Sequence, residues 1–439
     1  MAATDAERLG ELERLLAGSQ RLIQQLSQRL QVLEAAVGAP VSAAAPAGPP
    51  RLSLQLPTQL PTQLPPNQPP QLALDTQAMA SKVDAMEQQI SALRNRPEPD
   101  RGLEMHGFAD VGFALAGKGH DSGARVGSLD FYLTPHFGDR VKALLELNVE
   151  TGSDGHVEID LERAQIGVIL NDAATLWLGR FHSPFGTWNA TFHHGAQLQT
   201  AIARPRFLEF EDGGGILPAH SVGFWLTGVK RLGVGRLGYD VYLSNAPTIQ
   251  LTDPTQPGSG VLDPGLLGAG GRSAGLGWNL NYEFSGMAEG LHLGVHGLTA
   301  KVADNAATLH QTRLRMLGGW AGYNEGGWEL LAEHYRFRNA DLRSGGALGS
   351  HASRAGYIQL GRQFGLFTPF LRWERADLDQ TDPYFAEQTS GQSYRRVAAG
   401  LRYDLNPTTA LKVEALDSRY TDRTASRGRE LRSQLAVRF

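Results

Sequence analysis

The chain has 439 residues, no cysteine and 52 glycines, with 41 Lys+Arg against 45 Asp+Glu. The missing cysteines exclude a disulfide scaffold, a thiolate metal site and a Cys nucleophile. No apolar run approaches the roughly 18 residues of a membrane-spanning helix, and a formal net charge of -4 offers nucleic acid no electrostatic footprint. A membrane β-barrel stays open, because strands with one lipid face and one wet face average to a hydrophilic composition.

The first residues, Met1-Ala2-Ala3-Thr4-Asp5, lack the basic and apolar regions of a secretory signal. That fits a cytoplasmic protein, a mature form with an added Met1, or a start placed too late, and the rest of the chain decides among them. Residues 1–37 read as an N-terminal coiled coil. Leu9, Leu12, Leu16, Ser19, Ile23, Leu26, Leu30, Leu33 and Val37 recur in steps of three and four. The alternative is a single amphipathic helix packed on a globular core. Residues 38–75 form a Pro/Ala/Gln-rich linker, with Ala43-Ala44-Ala45-Pro46 followed by a repeat from Leu56 to Pro66. Proline removes backbone donors and stiffens such a chain towards polyproline II. A short second heptad helix over 76–96 carries Met79, Val83, Met86, Ile90 and Leu93 and stops before Pro97 and Pro99.

From residue 102 to 439 the pattern changes to segments alternating apolar with polar or small residues. The spacing predicts sixteen strands: 104–116, 125–135, 139–151, 157–170, 174–181, 219–228, 234–244, 272–284, 290–300, 311–323, 327–338, 352–363, 367–377, 393–405, 409–421 and 429–439. Every second connection is tight, as at 136–138, 171–173, 231–233, 324–326 and 406–408. The others are mostly longer, the longest being 182–218. Short turns on one rim and longer loops on the other predict an all-β transmembrane barrel of about sixteen antiparallel strands. A soluble sandwich or propeller would not sort its loops in this way. In the last strand Leu431, Ser433, Leu435, Val437 and Phe439 share one face, and Arg432, Gln434, Ala436 and Arg438 the other. A terminal Phe439 after such alternation resembles the signal read by the outer-membrane assembly machinery.

This arrangement resembles the trimeric outer-membrane porins, and the coiled coil ahead of the barrel resembles the phosphate-selective and dicarboxylate-type group with a periplasmic N-terminal extension. Tyr132-Leu133-Thr134-Pro135 before a short turn, and Leu178-Gly179-Arg180-Phe181 followed by Ser183-Pro184-Phe185-Gly186, carry the resemblance within the barrel. It implies a homotrimer held through coiled coil and barrel, seated in outer-membrane lipid. It also implies a third external loop, following strand five, folded into the lumen. The long connection 182–218 does follow the fifth strand counted. One departure is charge: residues 101–439 hold 33 Lys+Arg against 35 Asp+Glu, whereas phosphate-selective porins have a strongly basic lumen. Of the 33 cations only Lys118, Lys142, Lys230, Lys301 and Lys412 are lysines.

Within 182–218, Arg204 and Arg206 precede Glu209, Glu211, Asp212 and three glycines. These charges are the expected pore constriction, since charged rings at a narrowing select ions; solvated charges on a surface loop are the alternative. Expected wall residues are Arg313 and Arg315 flanking Leu314, Arg336 and Arg338 flanking Phe337, Arg372 and Glu374, Arg402 with Asp404, and Lys412 with Glu414. Glu158, Asp160 and Glu162 form an acidic stretch that would offset the arginines. His182, His193, His194 and His220 lack metal-ligand spacing, so neither a metal nor any other cofactor is expected.

The leading expectation is a porin admitting small hydrophilic, charged solutes by passive diffusion. An outer-membrane anchor tethering to peptidoglycan, a barrel enzyme with a rim site, and a barrel sheathing a redox partner are the other readings. The last two would need a barrel of a different size.

Overall fold

The structure is a computed structural model. It describes residues 104–439 apart from 118–121, 136, 152–156, 193–194, 212, 257, 265–272, 307–308 and 422–425. The expected coiled coil, linker and second heptad helix, the pair His193-His194, and Asp212 lie outside the described residues.

The strands are β1 (Glu104–Ala116), β2 (Gly123–Thr134), β3 (Val141–Thr151), β4 (Val157–Asn171), β5 (Ala174–His182), β6 (His220–Leu232), β7 (Gly235–Asn245), β8 (Thr248–Leu251) and β9 (Gly260–Asp263). They continue as β10 (Ala274–Glu283), β11 (Leu291–Asp304), β12 (Gln311–Glu325), β13 (Trp328–Arg343), β14 (Ser350–Arg362), β15 (Phe367–Asp377), β16 (Tyr394–Asn406), β17 (Thr409–Tyr420) and β18 (Ser426–Arg438). Sixteen of these, β1–β7 and β10–β18, form a closed antiparallel barrel. Each pairs with the next, β7 pairs with β10, and β18 returns to β1 in register from Phe108↔Arg438 to Ala116↔Glu430. Closure leaves no unpaired edge, as lipid requires of a spanning sheet.

The first and last strands are locked by their ends. The Phe439 N–H donates to the Gly107 carbonyl at 3.0 Å and the Gly107 N–H returns the bond at 3.0 Å. The Phe439 ring lies over Gly107, where a Cβ would come within 2.3 Å of it, and meets Phe131 edge-on at 6.1 Å. In the tight turns Gly326 (φ 58°) and Gly365 (φ 61°) take the left-handed conformation that the reversal needs.

β8 and β9 are the part of the fold that alternation did not foresee; the sequence suggested an irregular connection over 245–271. They form a hairpin, with β8 also bridging parallel to β11 at Ala303 and Asp304. Ile249, Leu251 and Leu262 from this hairpin join the buried core.

The outer face is apolar around the barrel's waist. Leu371, Trp373, Leu401, Leu411 and Leu431 are all exposed there. The buried core lies inside the barrel. Inward Leu314, Met316, Leu331, Tyr335, Phe337 and Tyr357 pack against Phe185, Trp188, Phe207 and Ile216 from the long connection between β5 and β6.

Candidate functional site

That connection, residues 183–219, folds into the lumen and lies against the inner wall of β11–β17. Its described residues include a short helix, α1 (Trp188–Thr191), and a 3-10 turn at Arg206–Leu208. Its apolar side chains cover the aromatic inner faces of β12–β14. Its backbone, which has no sheet partner, is satisfied by charged side chains of the wall.

Glu333 accepts the Trp188 N–H at 2.7 Å, and the Tyr357 hydroxyl donates to the same carboxylate at 2.8 Å. Glu414 accepts the N–H groups of Ile202 (2.9 Å) and Ala203 (3.1 Å), and Glu374 accepts that of Arg206 (2.9 Å). Arg372 donates to the Arg204 carbonyl at 3.2 Å and pairs with Glu374 at 2.9 Å, both side chains fully buried. Arg402 donates to the carbonyls of Gln197 (2.5 Å) and Gln199 (2.9 Å). Lys412 donates to those of Ala196 and, at 3.3 Å, Ala201. Buried charges are costly unless paired and hydrogen-bonded; these are compensated because carboxylates meet loop N–H groups and cations meet loop carbonyls.

The expected wall residues therefore divide. Arg372, Glu374, Arg402 and Lys412 point inward but lie beneath the loop as its anchors, with Arg372, Glu374 and Lys412 almost fully covered. Arg313, Arg315, Arg336 and Arg338 do not line the lumen. Leu314, Met316 and Phe337 are the buried, inward residues of β12 and β13, and the arginines beside them lie on the opposite, outer face with exposed Leu317. The reason is local: these strands reserve their inner faces for the loop's aromatic and aliphatic side chains, so the polar parity turns outward.

On the other side of the loop a cavity of about 420 Å³ remains between the loop and β1–β5 with β18. Its lining carries charges of both signs. The wall contributes Asp110, Arg125, Glu150, Asp160, Glu162, Arg180 and Arg432, and the loop contributes Arg204, Glu209 and Glu211. Asp160 and Glu162 belong to the acidic stretch noted in the sequence. Arg432 lies on the polar face read for the last strand, whereas Asp110, Arg125, Glu150 and Arg180 were not among the expected pore residues.

Arg204 borders the cavity, but its guanidinium is tied into the loop. It donates to the Leu208 carbonyl (2.8 Å) and Asn189 Oδ1 (3.2 Å) and stacks over the Phe210 ring at 4.0 Å. Arg206 lies over Tyr420 at 5.0 Å, outside the cavity lining. Glu211 accepts the His220 N–H at 2.8 Å and meets its Nδ1 at 2.9 Å, while His220 Nε2 lies 2.5 Å from Glu162. Burial raises the Glu211 carboxyl, but the charge and hydrogen bonds of His220 outweigh it and hold the group below its ordinary range. Burial pushes the Glu209 carboxyl up, against the opposing pull of Arg204, Arg396, Arg432 and Arg206.

Among the described residues three groups near the rim with the longer loops have donor atoms close enough to share an ion: Asp304 with His310 and Glu387, Asp341 with His351 and Asp382, and Glu150 with Glu158 and Asp160. In the first two the histidine already bonds a carboxylate, His310 to Asp304 at 2.7 Å and His351 to Asp341 at 3.2 Å.

Neither a protein-family model nor a curated protein sequence matches the chain. Solved structures do. The anion-selective porin from Comamonas acidovorans superposes with a TM-score of 0.54 at 14% identity, covering 77% of this chain and 99% of that one. The outer-membrane channel DcaP of Acinetobacter baumannii gives 0.51 at 10% identity, covering 77% and 97%. A loop-deletion form of OmpT, an outer-membrane protein of Vibrio cholerae, gives 0.51 at 9% identity, covering 77% and 99%. Residues 104–439 thus have the β-barrel fold of outer-membrane porins.

Proposed function

We propose that this chain is an outer-membrane porin through which small hydrophilic, charged solutes diffuse passively, narrowed by the inward connection between β5 and β6. The observation that carries the reading is the loop itself. It is pinned by buried charged side chains to one half of the wall and leaves a water-accessible cavity of both charge signs along the other half. A barrel serving only as an anchor needs neither a loop fixed inside it nor a charged passage. Glu209 on the loop and Arg125, Arg180 and Arg432 on the wall border the same cavity and would set a transverse field in which ions are sorted by sign and size.

The tight turns lie on the periplasmic rim in this reading, with the N-terminal heptads of 1–37 in the periplasm and Phe439 read by the assembly machinery. The outer face of β1–β4 stays apolar up to the rim with the longer loops, through Val111, Phe113, Leu115, Val126, Val157 and Ile159. Such a face suits contact with further copies, and we assign it to the homotrimer interface; the heptads would add to that contact and could reach peptidoglycan through the linker.

The test is single-channel conductance of the purified chain in planar bilayers, with reversal potentials in a salt gradient. Discrete conductance steps with a measurable selectivity are expected. A folded barrel that conducts nothing would refute the reading.

A further inference from the structure

The rim with the longer loops holds a cluster of side chains that passage through the pore does not use. Asp341 stands near the end of β13 and His351 at the start of β14, while Asp379 and Asp382 belong to the connection 378–393 after β15. Asp382 also caps a short helix, α2 (Pro383–Ala386). One ligand atom from each of Asp341, His351 and Asp382 lies within 4.8 Å of the others. The side chains of Asp341 and His351 are 5% and 8% exposed, and Asp382 is fully buried. Three carboxylates thus meet one imidazole, and among the described residues no Lys or Arg forms an ion pair with any of them.

The hydrogen bonds orient the imidazole. Nδ1 faces Asp379 Oδ2 at 3.1 Å, with the Thr381 hydroxyl a further acceptor at 3.3 Å, and Nε2 faces Asp341 Oδ2 at 3.2 Å. Asp379 is itself held by the N–H (2.9 Å) and hydroxyl (2.6 Å) of Thr381, both on Oδ1. A neutral imidazole donates through one nitrogen only. With that proton given to Asp379, Nε2 turns a lone pair towards a carboxylate oxygen. A protonated ring would satisfy both contacts, yet it would leave two buried negative charges short of a counter-charge. Asp341 Oδ1 is moreover buried with no hydrogen-bond partner, which is costly for a carboxylate. A divalent cation between Asp341, His351 and Asp382 removes the repulsion and gives Asp341 its missing partner.

The carboxylates are oriented as well. Asp341 Oδ2 accepts the Gly349 N–H at 2.9 Å, and Asp382 accepts Asn339 Nδ2 at 2.8 Å and the Tyr384 N–H at 3.0 Å. Glycine at 349 keeps one side of the cluster open, since a Cβ there would stand 3.3 Å from His351 Nε2.

From this juxtaposition we infer that Asp341, His351 and Asp382 bind one divalent transition-metal ion, Zn²⁺ being the best suited, with Asp379 as the positioning carboxylate behind the imidazole. Ligands about 2.1 Å from such an ion lie at most about 4.2 Å apart, so a small closing of the side chains completes the site. A histidine that binds a metal through one nitrogen commonly donates the other N–H to a carboxylate. Ca²⁺ and Mg²⁺ take oxygen ligands and would leave the imidazole unused. The ion would join β13 and β14 to the connection 378–393, which grips both inner elements of the mouth. The Tyr384 hydroxyl donates to the Ile216 carbonyl of the inner loop at 2.7 Å, and the Gly260 N–H of β9 donates to the Glu387 carbonyl at 2.8 Å. The site thus clasps the mouth, and the inference does not depend on conduction.

Metal binding to the full chain in non-ionic detergent, stripped beforehand with a chelator, tests it. Zn²⁺ is measured by competition with a chromophoric chelator, and Co²⁺ serves as a spectroscopic probe. One Zn²⁺ per chain is expected at this site, Co²⁺ should give the visible absorption of an imidazole–carboxylate site, and millimolar Ca²⁺ or Mg²⁺ should not displace either. D379N should lower affinity about ten- to a hundredfold, the usual range for a group behind a metal-bound imidazole. H351A and D341N, which remove a ligand or its charge, should lower it further, and H310A should leave it unchanged. Zn²⁺ should raise the temperature at which the wild-type barrel loses its heat-modifiable mobility, but not that of H351A.

Unchanged Zn²⁺ affinity in H351A or in D341N, each still showing the mobility of a folded barrel, would overturn the inference; where H351A does not fold, the isosteric D341N carries the same test. Displacement by millimolar Ca²⁺ would overturn it too, by making the site an oxygen-ligand one. Binding kept in H351A and lost in H310A would put the ion on Asp304, His310 and Glu387 and refute the assignment.

Discussion

Glu414→Ala removes the acceptor on which two consecutive loop N–H groups, those of Ile202 and Ala203, both converge at 2.9 and 3.1 Å. The side chain is fully buried, so water cannot replace it without opening the contact. A hydrogen bond to an ionised group contributes about 1.5–3 kcal/mol, so the pair holds this stretch with roughly 3–6 kcal/mol. Removing it should raise the released population of residues around 200–206 by at least about a hundredfold. The remainder of the loop stays pinned by Glu333, Arg402 and Lys412. The expected outcome is local mobility inside the lumen. In planar bilayers this reads as larger and noisier single-channel steps, and in limited tryptic digestion as a new cut after Arg206, since Pro205 protects the bond after Arg204. Glu414→Gln, which keeps one carbonyl acceptor, should fall between the variant and the wild type. If Glu414→Ala folds into a heat-modifiable barrel with unchanged conductance, noise and protease pattern, the anchoring argument fails.

Neutralising the outward arginines in R313Q/R315Q should leave conductance and ion selectivity unchanged, because these side chains face away from the lumen; an altered reversal potential would place them in the pore after all. E209Q/E211Q should shift selectivity towards anions, as two carboxylates leave a charged passage. Since burial raises the Glu209 carboxyl, cation preference should fall on acidification at a pH above that of an exposed carboxylate, and E209Q should abolish that step. Deleting Phe439 removes both bonds to Gly107 and should lower the yield of folded barrel in the outer membrane; wild-type yield would show that closure does not depend on this residue.

The strands were legible because one face of each must be apolar over the width of the bilayer, and that constraint repeats sixteen times. β1 and β15 coincide with their expected bounds, and most others differ by one to five residues at an end, where the alternation gives way to turn chemistry. The hairpin of β8 and β9 escaped notice for the complementary reason. Its strands are four residues long and bury against the inside of the mouth rather than against lipid, so no bilayer-length pattern marks them. Parity was the harder inference. In β12 and β13 apolar residues occur on both faces, because one face meets lipid and the other meets the loop. A rule that sends the polar parity inward then puts Arg313, Arg315, Arg336 and Arg338 on the wrong side.

The same asymmetry bears on where selectivity would reside in the proposed porin. The inner wall of β12–β17 supplies buried, compensated charges whose partners are loop backbone groups. Charges neutralised at contact distance contribute little field to a solute on the far side of the loop. The wall of β1–β5 with Arg432 supplies charges that border the cavity instead. Total charge over the barrel is therefore a poor guide to the sign of such a pore, since Arg372, Glu374, Arg402, Lys412 and Glu414 hold the loop and Arg313, Arg315, Arg336 and Arg338 lie on the outer face. In the proposed porin the sign of the passage would be set locally, by Glu209, Asp110, Glu150 and Asp160 against Arg125, Arg180 and Arg432, whereas Glu162 and Glu211 are held at contact distance by His220. An anion preference in the wild-type chain would mean that the wall carboxylates are neutralised in the open pore.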